Sequence, residues 1–299
     1  MKRTRLLMKN LKGLKFSFNI MNKLKIAVTG ATGFIGRHVI TELLKHNVEI
    51  IATYHSNKTA KRNSSRLTWL PFDISKPSDN IFSEIGRPDV LIHLAWSGLP
   101  KYNSPHHYEL ELPNQYIFLK KMILGGLKSV VVAGTCFEYG MQSGALSVDT
   151  ETKPNNPYGF AKDVLRKQLE FLQIRHEFKL TWARLFYLYG DGQSKLSLLP
   201  QLLKAVKEGN NSFKMSGGEQ MRDYLPVREV AINLVALARK QKNFGLVNIC
   251  SGEPKSVRSI VEQWILENNW EIELDLGYYP YTDYEPMEFW GVKSSEDIY

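Results

Sequence analysis

Cysteine and long apolar runs are both scarce in this chain of 299 residues. The two cysteines, Cys136 and Cys250, lie far apart, so a disulfide framework is not expected and a reducing, cytoplasmic compartment is predicted. No apolar run reaches the length of about 18 residues that marks a transmembrane helix. Hydrophobic residues make up 43% of the chain and charged residues 23%, the balance of an ordinary globular protein.

Acidic residues are absent from the first 20 positions, which contain six lysines and arginines. This arm supplies six of the nine net positive charges, and the remainder is too nearly neutral to predict a nucleic-acid partner. Lysines interrupt its apolar stretch, which argues against a signal peptide. An amphipathic membrane anchor stays open because four apolar residues have helical spacing, but a disordered leader over 1–22 is the favoured interpretation.

The chain also lacks internal repeats and low-complexity linkers, and short apolar runs alternate with helical patterns. The runs that predict strands are 26–28, 49–54, 67–70, 89–94, 129–133, 213–216 and 246–249. The later helical patterns are 198–208, 227–240 and 257–267. Strands that alternate with helices indicate an α/β fold, a doubly wound parallel Rossmann sheet. We expect a dinucleotide-binding domain over 23–185, with a returning segment near 227–250, and a smaller C-terminal α/β substrate lobe over 186–299.

Glycine is concentrated between the first strand and the first helix, where it has a physical use. Gly30, Gly33 and Gly36 have the spacing that permits a tight turn, a close approach to a pyrophosphate, and close helix–sheet packing. The N-terminus of the following helix offers unpaired N–H groups and the positive end of its dipole to phosphates. This strand–turn–helix context predicts a dinucleotide site.

An acid is missing at the end of the second strand, where NAD-binding folds place a carboxylate against the adenosine ribose. Tyr54 stands 18 residues after the third glycine, and His55 and Lys58 follow it. Because such side chains could bind a 2′-phosphate, NADPH is favoured over NADH, although Lys58 could also be a solvated loop charge. Asp73, after the third strand, has two open interpretations: an acceptor for the adenine amino group, or a turn residue.

A phenol and an ammonium lie four residues apart at Tyr158 and Lys162, and on a helix this spacing places both on one face. By itself the pair could be an ordinary surface pair. Tyrosine, with a pKa of about 10, is a poor acid–base catalyst at neutral pH, and a nearby cation lowers that pKa. Thr135 ends an apolar strand at the edge where open α/β sheets bind ligands. The constellation predicts proton exchange with a carbonyl or hydroxyl oxygen that Thr135 holds.

Several motifs together resemble the extended short-chain dehydrogenase/reductase family, whose members act on nucleotide sugars. The matching segments are 29–36, 73–74, 93–95, 134–140, 158–162, 184–190 and 222–224. The resemblance implies Thr135, Tyr158 and Lys162 as the catalytic residues, with Lys162 also on the nicotinamide ribose. It implies a homodimer that pairs a helix containing residues 158–171.

The same resemblance extends the prediction to the ligand sites. Substrate contacts are expected from Trp96, Thr135 and Arg222, and the planar guanidinium of Arg222 suits the nucleotide-sugar diphosphate. The predicted cofactor-binding residues are Gly30, Thr32, Gly33, Phe34, Ile35, His55, Lys58, Asp73, Ile74, Leu94, Ala95, Tyr158 and Lys162. Tyr187 stands where the family usually has Asn, which is a departure at a diphosphate contact.

Acids are missing again after Thr135, where dehydratases of the family carry an Asp-Glu pair and this chain has Cys136 and Phe137. Dehydration is therefore not expected. Segments 91–100, 217–226 and 281–291 resemble reductases of dTDP-linked 4-keto-6-deoxyhexoses, which implies NAD(P)H-dependent reduction at C4 in deoxysugar and surface-polysaccharide biosynthesis.

Other interpretations stay open at this point. They are a nucleotide-sugar 4-epimerase with tightly bound NAD, a reductase similar to CDP-abequose synthases, and a non-catalytic dinucleotide-binding sensor. His93, His106 and His107 suggest a metal, but no cluster with ligand spacing accompanies them, so no metal site is predicted. The acidic, aromatic tail over 278–290 either shapes the sugar pocket or packs as a C-terminal extension.

Overall fold

Seven parallel strands form the central sheet of the protein, whose computed structural model describes residues 23–55, 63–281, 283 and 285–294. Numbered along the chain, they are β1 (Lys25–Thr29), β2 (Glu49–Tyr54), β3 (Leu67–Pro71), β4 (Val90–His93), β5 (Ser129–Thr135), β7 (Lys179–Leu185) and β12 (Gly245–Ile249). Their order across the sheet is β3-β2-β1-β4-β5-β7-β12. The doubly wound Rossmann sheet predicted from the sequence is confirmed. The winding reverses between β1 and β4, and ligands of such sheets bind outside the carboxyl ends of the strands at that point.

Helices cover both faces of this sheet. They are α1 (Phe34–Leu43), α2 (Ile81–Glu84), α3 (Leu112–Gly125), α4 (Pro157–Arg175), α5 (Leu198–Lys207), α6 (Val227–Lys240) and α7 (Val257–Asn268). A π-helical turn, His107–Glu111, leads into α3, and a 3₁₀ turn, Cys136–Tyr139, follows β5. No helix in the part of the chain that the structure describes is long and apolar enough to cross a membrane.

Alternate residues of the central strands enter two separate hydrophobic layers. In β1, Ile26 and Val28 pack into the layer that contains α1 and α6, whereas Ala27 packs into the layer that contains α3 and α4. All three side chains are fully buried. Since both faces of a parallel sheet are covered, its strands are continuously apolar rather than alternating, and this is the pattern that made them recognisable.

The local sequence fixes the start of α4. Pro157 occupies its first turn, where a missing N–H group costs no helical hydrogen bond. Asn156 caps the helix because its side-chain oxygen accepts a hydrogen bond from the Gly159 N–H at 2.8 Å. The cap places Tyr158 in the first turn and Lys162 one turn later, both buried.

The remaining strands form a smaller lobe. They are β6 (Gly144–Leu146), β8 (Tyr187–Tyr189), β9 (Ser212–Lys214), β10 (Met221–Arg222), β11 (Tyr224–Pro226), β13 (Lys255–Ser256), β14 (Glu273–Asp275) and β15 (Glu288–Gly291). Four of them form a sheet in the order β13-β10-β15-β6, and β8 pairs with β11 and β9 with β14. Leu202, Phe213 and Trp264 belong to the core of this lobe.

The chain crosses between the two parts more than once. After the smaller lobe begins, the chain returns with α6, which packs on the Rossmann sheet, and with β12, which is an edge strand of that sheet. Residues 144–146 differ from the prediction, which placed them in the dinucleotide-binding domain. Their strand β6 pairs with β15 in the smaller sheet, with Gly144 opposite Phe289. A strand of three residues carries no periodicity, so sequence patterning could not reveal a partner so far along the chain.

Candidate active site

The glycine turn between β1 and α1 holds main-chain atoms in close contact. Gly30 has a φ of +65°, and a Cβ at this position would lie 2.8 Å from the main-chain nitrogen of Ala95. A Cβ on Gly36 would overlap the carbonyl oxygen of Gly30. Gly33 is the N-cap of α1 and has no side chain, so the first N–H groups of the helix are not capped by it and can bind a ligand. This uncapped, Cβ-free cradle fits a dinucleotide pyrophosphate.

The loop after β4 is fixed beside this turn. The hydroxyl oxygen of Thr29 accepts hydrogen bonds from the N–H groups of Leu94 at 3.2 Å and Ala95 at 3.4 Å. It also lies 2.9 Å from Nδ1 of His93, which is buried and stacked on Phe118. Burial lowers the pKa of His93 to about 3, so its imidazole is neutral. The structure thus brings together three residues that the sequence predicts to contact the cofactor, Gly30, Leu94 and Ala95.

A carboxylate and an imidazole meet at the ends of β2 and β3. Asp73 Oδ1 accepts hydrogen bonds from the N–H of Ser75 at 2.9 Å and from its hydroxyl at 2.7 Å, and these bonds lower the pKa of Asp73. Its Oδ2 lies 3.7 Å from Nε2 of His55. Asp73 is therefore a turn residue, and its second oxygen faces His55. The neighbouring Ile74 packs on the core. Lys58 lies outside the described residues.

Thr135 and Tyr158 line a cavity of about 550 Å³ between the Rossmann sheet and the smaller lobe, together with Phe34 and Ile35 of α1. Burial raises the pKa of Tyr158, and hydrogen bonding to the side chain of Thr135 opposes that rise. The Tyr158 N–H donates to the carbonyl oxygen of Tyr102 at 3.1 Å, which anchors the start of the helix. A protonated phenol and a hydroxyl thus share one wall of the cavity.

Lys162 is held behind this wall. Its ammonium donates a hydrogen bond to the carbonyl oxygen of Ala133 at 2.9 Å and lies 4.0 Å from the ring centroid of Trp96. The distance from Nζ to the ring centroid of Tyr158 is 5.9 Å. No carboxylate in the described part of the chain forms an ion pair with it. Burial lowers the pKa of Lys162 to about 7, and the carboxylates of Glu138 and Glu111 act in the opposite direction from a greater distance.

Trp96 is itself fixed by His107. The indole N–H donates to Nδ1 of His107 at 3.1 Å, and Nε2 of that imidazole lies 2.9 Å from the carbonyl oxygen of Lys101. Nε2 therefore carries the proton that the carbonyl accepts. Trp96 also meets Tyr158 edge to face, with 5.9 Å between centroids. The sequence predicts Trp96 as a substrate contact, whereas the structure places it against Lys162 and outside the lining of the large cavity.

The turn after Thr135 is supported by a buried carboxylate that sequence reasoning did not single out. Glu138 accepts hydrogen bonds from the Thr135 N–H at 2.9 Å, from the Trp182 indole at 2.9 Å and from Arg184 Nε at 2.8 Å. The Thr135 hydroxyl accepts from the Phe137 N–H at 3.3 Å, which completes a capping box. The Thr-x-x-Glu spacing was the available signal.

A second buried acid, Glu111, lies in the π-helical turn. It accepts hydrogen bonds from the Ser97 hydroxyl at 2.6 Å and the Gln115 amide at 2.8 Å, and His106 lies 3.4 Å away. These bonds, chiefly the one from Ser97, outweigh burial and lower the pKa of Glu111. His106 and His107, which the sequence analysis considered as metal ligands, are thereby engaged in separate hydrogen bonds. Among the described residues, no group of three His, Cys, Asp or Glu side chains could hold a metal ion.

Tyr187 and Glu285 also line the cavity. Arg222, predicted to bind the diphosphate, is buried behind that wall and does not line the cavity. Its Nη2 donates to Glu285 at 3.2 Å, and its guanidinium lies 5.4 Å from the ring centroid of Tyr187. Of the remaining predicted residues, Thr32 is exposed on the glycine turn.

Residues 26–250 match the NAD dependent epimerase/dehydratase family, and the protein belongs to this family. It is thus an oxidoreductase-type enzyme of nucleotide-sugar metabolism, as the motifs predicted. The match ends before β13, α7 and the C-terminal segment that contains Glu285.

Two curated relatives carry out redox chemistry at C4 of dTDP-linked sugars, according to their names. The dTDP-6-deoxy-L-talose 4-dehydrogenase (NAD(+)) of Aggregatibacter actinomycetemcomitans is 32% identical over 90% of this chain and 100% of its own length. The dTDP-4-dehydro-6-deoxyglucose reductase of Escherichia coli is 24% identical over 79% of each chain. Among solved structures, a Bacillus cereus UDP-glucuronic acid 4-epimerase with UDP-glucuronic acid and NAD shares the fold, with a TM-score of 0.76, 22% identity and 90% coverage of each chain.

Proposed function

We propose that the protein is a reductase that converts the C4 keto group of a nucleotide-linked 4-keto-6-deoxyhexose to a hydroxyl group. The observation that carries this proposal is the placement of Thr135 and Tyr158 on one cavity wall, with Lys162 behind them and the glycine turn beside them. The names of the two relatives support the same chemistry, because both describe a redox change at C4 of a dTDP-linked deoxysugar.

The side chains divide the proton chemistry among them. Thr135 would hold the C4 oxygen by hydrogen bonding, and Tyr158 would donate its phenolic proton to that oxygen as the carbonyl is reduced. Burial raises the pKa of Tyr158 and keeps the phenol protonated before the reaction, which suits an acid. The ammonium of Lys162 would stabilise the phenolate left behind until solvent reprotonates it. When bound, a reduced nicotinamide dinucleotide supplies the hydride.

Residues next to Thr135 argue for reduction rather than dehydration. Phe137 has no proton to exchange, and burial raises the pKa of the Cys136 thiol, which therefore stays protonated. Neither side chain can act as the acid–base pair that eliminates water. The two buried cysteines are free thiols, which supports our inference of a reducing, cytoplasmic location.

We propose NADPH as the preferred hydride donor. Tyr54 stands where a carboxylate would accept a hydrogen bond from the ribose 2′-hydroxyl, and the adjacent His55 can bind a phosphate. The relative from A. actinomycetemcomitans is named for NAD(+), so the choice of cofactor is a point on which the two enzymes would differ.

We also propose that two copies of the chain pair through α3 and α4. On α4, Phe160, Phe171 and Ile174 share one face, and the last two are 71% and 78% exposed. On the neighbouring α3, Ile117 and Leu124 are exposed seven residues apart. An apolar stripe across two packed helices fits a second copy of the same stripe, as an isologous dimer requires.

The test is a panel of 4-keto nucleotide sugars incubated with NADPH or NADH, with cofactor oxidation followed by absorbance and the product identified by NMR. Tyr158→Phe should lower turnover at least about a hundredfold, because proton donation is lost. Tyr189→Phe, which removes a phenol elsewhere on the cavity wall, is the matched control and should retain turnover. Near-normal turnover by Tyr158→Phe would contradict the proposed role. Inversion at C4 without net cofactor oxidation would identify the epimerase alternative instead, and a preference for NADH would overturn the NADPH proposal.

A further inference from the structure

Among the residues that the structure describes, one charged side chain lines the cavity that contains Thr135 and Tyr158. The described residues that line it are apolar, aromatic or neutral polar, with the exception of Glu285. Lys162 and Arg222 lie behind the wall and do not line the cavity. A substrate that fills this space would therefore meet one carboxylate and no cation among the lining side chains that the structure describes.

Arg222 holds this carboxylate in place from behind. Its Nη2 donates to Oε2 of Glu285 at 3.2 Å. Its Nη1 donates to the carbonyl oxygens of the adjacent Met221 at 2.9 Å and of Met287 at 3.1 Å, and the second bond ties β10 to the segment that carries Glu285. The arginine is 3% exposed, so it cannot reach a ligand unless Glu285 moves away. A carboxylate fixed in this way still has lone pairs for hydrogen bonds from the cavity side.

Glu285 lines the same cavity as Thr135 and Tyr158. Its charge contributes to the raised pKa values of Cys136 and Tyr187, for which burial is the main cause. Cys136 directly follows Thr135 in the chain, and Tyr187 lines the same cavity. The carboxylate therefore faces the region where a sugar ring would sit if its C4 oxygen is held by Thr135.

We infer that Glu285 is a specificity-determining residue, which accepts hydrogen bonds from hydroxyl groups of an uncharged hexose and excludes sugars that carry a carboxylate. The inference rests on the proposed function for the identity of the ligand as a nucleotide sugar. Hydrogen bonds from hydroxyl groups to a carboxylate are among the strong ones. Two carboxylates in one cavity with mostly apolar and aromatic walls repel each other, and repulsion of the wrong ligand is an efficient route to specificity.

The pair of Arg222 and Glu285 has an alternative role, in which Glu285 bonds to Arg222 only until the diphosphate of the substrate displaces the carboxylate. The buried position of Arg222 and the two bonds from its Nη1 to main-chain carbonyls argue against this exchange, because little of the guanidinium would be available to a diphosphate even after Glu285 had moved. The two roles make opposite predictions for the binding of a nucleoside diphosphate that has no sugar.

The experiment measures equilibrium binding by calorimetry, which requires no turnover. The ligands are dTDP-glucose and dTDP-glucuronic acid, which differ only at C6, the same pair linked to UDP, and dTDP and UDP alone. The proteins are the wild type, Glu285→Gln and Glu288→Gln. Glu288 is the control, because it is exposed on β15 three residues away. The substitution in Glu285→Gln keeps the size of the side chain and an acceptor for Arg222 while removing the charge.

We expect the wild type to prefer the glucose-linked ligand over the glucuronate-linked one by about tenfold or more. Glu285→Gln should lose about tenfold in affinity for the glucose-linked ligand, gain affinity for the glucuronate-linked one, and bind nucleoside diphosphates unchanged. Equal discrimination in wild type and variant would overturn the inference while leaving the reductase proposal intact. Tighter binding of dTDP or UDP by the variant would establish the displacement role instead. Failure of the wild type to bind any nucleotide sugar would overturn the proposed function and this inference with it.

Discussion

Removing the buried carboxylate of Glu138 should destabilise the protein more than removing any exposed acid. Glu138 is fully buried and accepts hydrogen bonds from the main chain of Thr135, the indole of Trp182 and the guanidinium of Arg184. Glu138→Ala leaves the Arg184 charge and two buried N–H groups without this acceptor. Breaking a buried ion pair by removing one partner costs about 3–5 kcal/mol of the free energy of unfolding.

The neutral variant Glu138→Gln separates charge from shape. Its side-chain oxygen can still accept a hydrogen bond from Thr135 or Trp182, but Arg184 loses its counter-ion. We expect a smaller loss of about 2 kcal/mol, the value of one charge-assisted hydrogen bond. Because the Thr135 N–H depends on the same carboxylate, the variant should also lower kcat for ketosugar reduction.

Urea unfolding followed by tryptophan fluorescence and by circular dichroism measures these changes. Glu151→Ala is the matched control, since Glu151 lies 13 positions further along the chain, is exposed, and forms an ion pair with exposed Lys153. That control should stay within about 1 kcal/mol of wild type. If the free energy of unfolding of Glu138→Ala also stays within about 1 kcal/mol of wild type, then the hydrogen bonds of Glu138 do not hold the site together.

Two further predictions concern Lys162 and the apolar stripe. Burial lowers the pKa of Lys162 to about 7, so its ammonium is lost as the pH rises through neutrality, and Trp96→Leu removes the indole face that favours the charged form. In Trp96→Leu, the alkaline limb of the kcat/KM profile should therefore move to lower pH by about one unit. Trp96→Phe, which keeps an aromatic face, should show a smaller shift. An unchanged alkaline limb in Trp96→Leu would contradict the role of the indole in holding the charge of Lys162. The double variant Phe171→Glu/Ile174→Glu should convert the proposed dimer to a monomer in analytical ultracentrifugation. Leu266 is equally exposed but lies on α7, so Leu266→Glu should leave the dimer intact. A monomeric wild type would refute the proposed dimer.

Regular periodicity made most of the fold predictable. Strand β2 was predicted at 49–54 and helix α6 at 227–240, and both are observed with these bounds. Each element spans several repeats of its hydrophobic pattern, which is continuous in the strand and amphipathic in the helix. The pattern that predicts the element therefore lies within the element itself. The glycine turn was predictable for a related reason: its constraint is steric and lies within seven consecutive residues.

Contacts between distant segments were not predictable in this way. The pairing of Arg222 with Glu285 joins residues 63 positions apart, and the stacking of Trp96 on Lys162 joins a loop to a helix. Neither contact leaves a periodic trace in the sequence. Two alternatives were open for the C-terminal tail, and the structure supports both. Glu285 lines the cavity, whereas Phe289 is buried in a core cluster with Cys136 and Tyr139.

The residues proposed for catalysis and the residue proposed for sugar specificity lie in different parts of the chain. Thr135, Tyr158 and Lys162 lie within the region shared by the family, residues 26–250, whereas Glu285 and its strand β15 lie beyond it. The proposed proton transfer depends on the shared region because the positions of these three residues are set by the Rossmann sheet and by α4. The charge that we infer to face the sugar comes from a segment outside the Rossmann sheet. Substitutions in that segment can therefore change which sugar is accepted while leaving the chemistry at C4 unaltered, and this is the separation that Glu285→Gln tests.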